Sequence, residues 1–285
     1  MEQKIAFCNC PDGTRIAYST MGQGPPLVYL SGWVSHLELE LEDPSWESFY
    51  EKLTRYHSII RYDRRGVGLS DWERSDFSLE ADILDLESII FHLRIKSFGL
   101  VGLSQSSPIA ISYAAKHPSQ VNHLIIYGGY ACGEAVAKDE IKKSLVSMVR
   151  SHWGMGSKTL SDLFVPDADR GGASVEWYTN YQKKCASADM AADLLEAMYS
   201  WDVGKLLPSI RVPTLVIHRQ KDRAVPARQG REIAASIPNA RFVPLDGNIH
   251  FPWLGDTDSV LRAISDFLGD PVPSEDGRRL VTVLF

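Results

Sequence analysis

The sequence predicts an α/β protein. The expected architecture is a mostly parallel, eight-stranded sheet with an antiparallel hairpin at its N-terminal edge, helices on its faces and a helical cap inserted after the sixth strand. Three observations carry this reading. Short apolar, β-branched runs alternate with stretches of helical periodicity, the pattern of βαβ crossovers. The first two runs flank Cys10-Pro11-Asp12-Gly13, a turn signal that makes them a hairpin. From about residue 130 to 208 the alternation stops, and helical and loop character replaces it without a convincing strand.

In chain order, Lys4–Asn9 and Thr14–Thr20 are the hairpin strands, and Leu27–Ser31 follows the Gly24-Pro25-Pro26 breaker. His57–Tyr62 is the fourth strand. Leu79, Ile83, Leu86, Ile90 and Leu93 then recur at helical spacing behind Ser78, a suitable N-cap. Phe98–Gly102 is the fifth strand, followed by a helix from about Gln105 to Lys116 that Pro118 stops, and His123–Tyr127 is the sixth. Beyond the strandless stretch, Thr214–His218 and Arg241–Leu245 bracket a helix from about Arg228 to Ser236, and Thr257–Leu268 is the last helix. The implied organisation is a core of 1–129 and 209–270, a cap of 130–208, and a linker with the remnant of a following domain at 271–285.

Composition narrows the function classes. Among 285 residues, 30 Lys and Arg stand against 36 Asp and Glu, a net charge of −6 without a basic block. That argues against a nucleic-acid partner, whose binding rests on neutralising phosphates. The N-terminus lacks an apolar signal region and nowhere do about eighteen apolar residues run together, so a cytoplasmic protein without a membrane partner is expected. A homo-oligomer is compatible with the sequence. The four cysteines are too scattered for a disulfide framework, and Cys8-x-Cys10 without histidines at ligand spacing reads as reduced structural thiols, so no metal is expected.

The strongest chemical signal is Gly102-Leu103-Ser104-Gln105-Ser106 between a strand and a helix. A serine there sits on a sharp, strained turn with its hydroxyl raised above the sheet edge, and its neighbours two before and two after must be small. Gly102 fits; Ser106 stands where glycine is usual. A serine hydroxyl needs a base to take its proton. Of the eight histidines, His57 precedes its strand, His117 ends a helix and His123 opens a strand, while His36, His92 and His152 belong to loop, helix and cap. His250 follows the last strand, at the C-terminal edge where open α/β sheets bind ligands. The acid that orients the imidazole is Asp222, just after the strand Thr214–His218. The competing position after His123–Tyr127 holds Gly128-Gly129-Tyr130 and no acid. Oxyanion donors are expected from the amides of Gln105, next to the nucleophile, and Trp33, in the loop after the third strand, where Gly32 permits the backbone to turn its N–H inward. The aromatic-rich stretch 130–208 reads mainly as the cap's own core. Trp153, Tyr181 and Met198 from it, with Trp253 beyond the last strand, are the candidates for the substrate pocket.

The order Ser104, Asp222, His250, together with Asp63-Arg64-Arg65-Gly66-Val67-Gly68-Leu69-Ser70 after the fourth strand, resembles the α/β-hydrolase superfamily over about residues 1–270. Gly66-Val67-Gly68 is no dinucleotide fingerprint, since it lacks the third glycine and opens no helix. The resemblance implies a cofactor-independent serine carboxylesterase acting on small ester substrates of short to medium acyl length. Serine at the elbow sets the chain apart from haloalkane dehalogenases and epoxide hydrolases, which carry aspartate there. Two alternatives stay open: a hydrolase of lactones or carbon–carbon bonds using the same triad, and a small-molecule sensor of hydrolase fold with slow or no turnover. Finally, Arg278–Phe285 (RRLVTVLF) resembles the first strand of class III nucleotide cyclase domains, which some bacterial proteins carry behind a hydrolase domain. The implied partner is a fused cyclase domain in a longer parent chain.

Overall fold

The computed structural model describes residues 2–166 and 174–271, so the segment 272–285, with its cyclase-like run, lies outside the described residues. Eight strands form one sheet: β1 (Gln3–Asn9), β2 (Arg15–Met21), β3 (Pro26–Leu30), β4 (Ser58–Tyr62), β5 (Phe98–Leu103), β6 (Val121–Tyr127), β7 (Thr214–Arg219) and β8 (Arg241–Leu245). Their spatial order is β1-β2-β4-β3-β5-β6-β7-β8. The β1–β2 and β2–β4 pairs are antiparallel; the pairs from β4 across to β8 are parallel.

Period-2 alternation divides the core between the two faces of the sheet. On β5, Val101 and Leu103 pack to one side with α1 (Pro44–Leu53) and α9 (Thr257–Leu268), while Phe98 and Leu100 pack to the other with α2 (Leu79–His92), α3 (Ser107–Lys116) and α8 (Ala227–Ser236). β5 is buried along its whole length, as a central parallel strand must be. α2 starts at the predicted cap, with Ser78 accepting from the Ala81 N–H.

Two elements depart from the sequence reading. No element was assigned between Ser31 and His57, yet α1 lies there: Asp43 caps it by accepting from Ser45 and Trp46, and Pro44 occupies its first turn. The helix after β5 begins at Ser107, because Ser104–Ser106 forms a 3₁₀ turn first.

Among the described residues, four α-helices lie between β6 and β7: α4 (Asp139–Ser151), α5 (Trp153–Phe164), α6 (Ser174–Cys185) and α7 (Ala188–Ser200). An isolated antiparallel bridge, Cys132 to Asp202, joins the two ends of this excursion. Its contacts with the core fall at the C-terminal ends of the strands. Trp33 Nε1 donates to Gln182 Oε1 on α6 (3.2 Å), Gln105 Nε2 donates to Leu194 O on α7 (3.0 Å), and His250 N donates to Phe164 O at the end of α5 (2.8 Å). Among the described residues, no helix is long and apolar enough to cross a membrane.

Candidate active site

β5 delivers Ser104 in a conformation that L-residues rarely adopt, with φ at 54°. Such strain persists only where the surroundings enforce it. Gly102 shows why the position two residues earlier must be bare: a Cβ there would lie 2.7 Å from Ala110 Cβ on α3. Ser106 explains its own departure from glycine. Its hydroxyl donates to the Ser31 carbonyl, tying the Ser104 turn to the loop after β3. That loop runs close against Ser104, the Cβ position of Gly32 being 3.6 Å from Ser104 Cβ.

The structure brings Ser104, Asp222 and His250 into one hydrogen-bonded line. Ser104 Oγ lies 2.8 Å from His250 Nε2, and His250 Nδ1 lies 2.7 Å from Asp222 Oδ2. All three are buried. The other carboxylate oxygen, Asp222 Oδ1, accepts from the N–H groups of Ala224 (2.9 Å) and Val225 (3.2 Å). Burial by itself would raise the Asp222 pKa, but the adjacent His250 and hydrogen bonds from His218 and His250 hold it far below the usual carboxylate range. The Phe164 ring stacks on the His250 imidazole at 5.4 Å, and Gly128 leaves the room that the imidazole occupies, since a Cβ there would be 3.1 Å from His250 Cε1. Gly128, read from sequence only as part of a place without an acid, thus clears space for the His250 ring, while Gly129 lies against Ser107.

Sequence reasoning passed over three residues of this site. His218 is the second-last residue of β7, at the same sheet edge, which its position in the sequence already showed. Its Nε2 lies 2.8 Å from the Val225 carbonyl and 3.5 Å from Asp222 Oδ2, so it braces the acid rather than serving as the base. Arg219 donates to the carbonyls of Ile249 and Asp256 and clasps the loop that carries His250. Arg64 lies behind the Ser31–Val34 loop, with its Nη2 3.1 Å from the Trp33 carbonyl. No local sequence signal marks these last two contacts, which join segments far apart in the chain.

Of the pocket candidates, Trp253 and Met198 line cavities that meet at Ser104. Tyr181 and Trp153 do not line them. Tyr181 points into a buried polar cluster, its hydroxyl donating to Glu40 Oε1 (3.0 Å), and Trp153 stands behind Trp33, edge-on at 6.3 Å, with Nε1 bonded to Ala186 O. The physical reason is that both rings carry polar groups whose partners lie away from the cavity, and a buried donor goes where its acceptor is. One cavity, about 10 Å³, is walled on the His250 side by Phe164, Tyr178, Phe251 and Trp253. The other, about 40 Å³, is walled by aliphatic side chains that include Val136, Leu145, Leu195 and Val225.

Among the described residues, no group of three His, Cys, Asp or Glu side chains is arranged to hold a metal ion. The four cysteines are free. Cys10 donates to Asp85 at 3.4 Å, and burial pushes its thiol up to about 12 and that of Cys8 up to about 11. Neither is a thiolate near neutrality.

Residues 25–256 match the family model described as alpha/beta hydrolase fold. The chain belongs to that family. Among its relatives is the AB hydrolase superfamily protein YisY of Bacillus subtilis, 27% identical over 263 residues that cover 87% of this chain and 92% of that protein. Another is the non-heme chloroperoxidase CPO-A1 of Kitasatospora aureofaciens, 26% identical with 93% and 99% covered. Among solved structures, the esterase EaEST from Exiguobacterium antarcticum superposes with a TM-score of 0.83 at 22% identity, covering 93% of this chain and 99% of that one.

Proposed function

We propose that the protein is a serine carboxylesterase that hydrolyses short to medium acyl esters through an acyl-enzyme. The observation that carries this reading is the continuous line Ser104 Oγ, His250 Nε2, His250 Nδ1, Asp222 Oδ2, at 2.8 and 2.7 Å, on a serine held at φ 54°. In the proposed reaction His250 takes the Ser104 proton as Oγ attacks the ester carbonyl, then returns it to the departing alkoxide. A water that gives its proton to His250 next attacks the acyl carbon, and collapse of that adduct restores Ser104 and releases the acid. Asp222 holds the imidazole with Nε2 facing serine and stabilises the transient imidazolium. The amides of Trp33 and Gln105 are the proposed donors to the carbonyl oxygen as it becomes negative. No step calls for a cofactor, and four free thiols suit a cytoplasmic enzyme.

The cavities support a division of the substrate. The leaving oxygen has to reach His250, so the alcohol side belongs to the aromatic cavity, whose 10 Å³ takes about one water-sized group. The acyl chain belongs to the aliphatic cavity, whose 40 Å³ takes three or four such groups, about a butyryl chain. Proton release during hydrolysis of methyl esters from acetate to laurate tests this. The rate is expected to peak near butyrate and fall beyond hexanoate, with many turnovers per protein. A rate that climbs toward laurate contradicts the closed pocket, and one turnover or none identifies a sensor instead.

A further inference from the structure

Arg64 occupies a place that a surface arginine would not. It is 4% exposed, and its Nη2 donates to two acceptors, the Trp33 carbonyl at 3.1 Å and Gln105 Oε1 at 3.3 Å. These are the two residues whose amides form the oxyanion hole in the esterase reading. Gln105 Nε2 in turn donates to the Leu194 carbonyl on α7, at 3.0 Å. One guanidinium therefore joins the loop after β3 to the residue after the nucleophile, and through that residue to the cap.

A simple structural ion pair does not account for this arrangement. The acid nearest Arg64 Nη1 is Asp82, at 3.6 Å, and Asp82 already has a closer partner in Arg74, at 2.7 Å. Among the described residues, Nη1 makes no hydrogen bond at all. The adjacent Arg65 fills the structural role instead, meeting Asp85 at 2.6 Å and Asp12 at 2.8 Å. Leaving one arm of a buried guanidinium unbonded is costly, so its position is set by what the other arm holds.

We infer that Arg64 is a positioning residue for the oxyanion hole, aligning the Trp33 and Gln105 amides and adding positive charge behind them. The inference rests on the esterase reading. Pinning the Trp33 carbonyl limits rotation of that residue's backbone and so aims its own N–H. Pinning the Gln105 side chain from two directions does the same for the residue that follows Ser104 in the 3₁₀ turn. A fixed cation in a dry site also acts on the developing alkoxide through a low dielectric, where its field is strong. Both effects grow as the carbonyl oxygen becomes negative, so they lower the barrier more than they bind substrate.

The test compares the full-length wild type with Arg64→Met and Arg64→Lys. Steady-state hydrolysis of methyl butyrate is measured alongside inhibition by butaneboronic acid, whose tetrahedral serine adduct places an oxygen in the oxyanion hole. For Arg64→Met, kcat is expected to fall about 100-fold with KM within about threefold, and boronate affinity to weaken in proportion to kcat/KM. Arg64→Lys keeps the charge, but its side chain ends one bond short of the Nη2 position that meets both acceptors, and it is expected to lose about tenfold. If the Met variant does not fold, the Lys variant carries the same comparison. Variants within about threefold of wild type in both measurements overturn the inference, as does a loss of kcat with boronate affinity unchanged. A wild type that neither turns over nor binds boronate overturns the esterase reading itself.

Discussion

Replacing Asp222 by asparagine removes one charge and almost no volume, and the surrounding donors dictate how the amide must sit. Asp222 Oδ1 already accepts the N–H groups of Ala224 and Val225, so only the carbonyl oxygen of an asparagine is tolerated on that side. The NH₂ group is then forced toward His250, into the 2.7 Å contact with Nδ1. A donor there obliges Nδ1 to be the unprotonated nitrogen and moves the imidazole proton to Nε2, facing Ser104. His250 can no longer accept the serine proton. The expected loss is about 10⁴-fold in kcat, close to 5 kcal/mol of transition-state stabilisation, with KM little changed. The assay is proton release from methyl butyrate, with circular dichroism to show that the variant is folded. A folded Asp222→Asn protein within about tenfold of wild type would refute the proposed role of the carboxylate.

Other expectations follow from the same structure. Ser104→Ala should lower turnover by about 10⁴-fold or more while the domain stays folded, and adding His250→Ala should cost little further because the triad acts as a unit; additive losses in the double variant would contradict this. Glu40 is fully buried, with Arg61 beside it and the Tyr50 and Tyr181 hydroxyls within reach of its oxygens. Burial raises its carboxyl to about 7 against the pull of Arg61. A folded pKa above the unfolded one favours the protonated form, so wild type should lose stability relative to Glu40→Gln as pH rises from about 4.5 to about 7, by on the order of 3 kcal/mol. Urea midpoints across that range decide it, and a constant difference would exclude the shift. Removing residues 272–285 should leave ester hydrolysis within about twofold of the full chain, because Asp270, which pairs with His57 at 2.8 Å, is retained. Loss of folding on truncation would make the tail part of the core.

What was legible in the sequence is what short-range chemistry encodes. The strands stood out because each is a compact apolar run, and Ser104 because a strand, a small-residue turn and a helix adjoin within a few residues. Asp222 and His250 could be placed at one sheet edge because each directly follows a strand. That rule needed no knowledge of side-chain packing. It was applied incompletely to His218, which also ends a strand, and α1 was missed although Asp43-Pro44 is a helix-start signal in its own right. The facing of the aromatics was not legible. Tyr181 and Trp253 look equally suited to a pocket, yet the Tyr181 hydroxyl is drawn to Glu40, more than a hundred residues away in the chain, and the Trp253 indole is left for the cavity. Arg64 and Arg65 are likewise indistinguishable as letters. Their separation into one residue bonded to the Trp33 carbonyl and one held by Asp85 exists only once α2 and the Ser31–Val34 loop have packed on either side of them.

The central claim, that Ser104 is a nucleophile activated by His250, is tested most directly by covalent capture. The full-length protein is treated with a small alkyl fluorophosphonate at neutral pH, and the intact mass and the peptide map are recorded. The account predicts one phosphonyl group per chain, carried by Ser104, with labelling abolished in Ser104→Ala and strongly slowed in His250→Ala. An unlabelled wild type, or a phosphonyl group on any other residue, would contradict it.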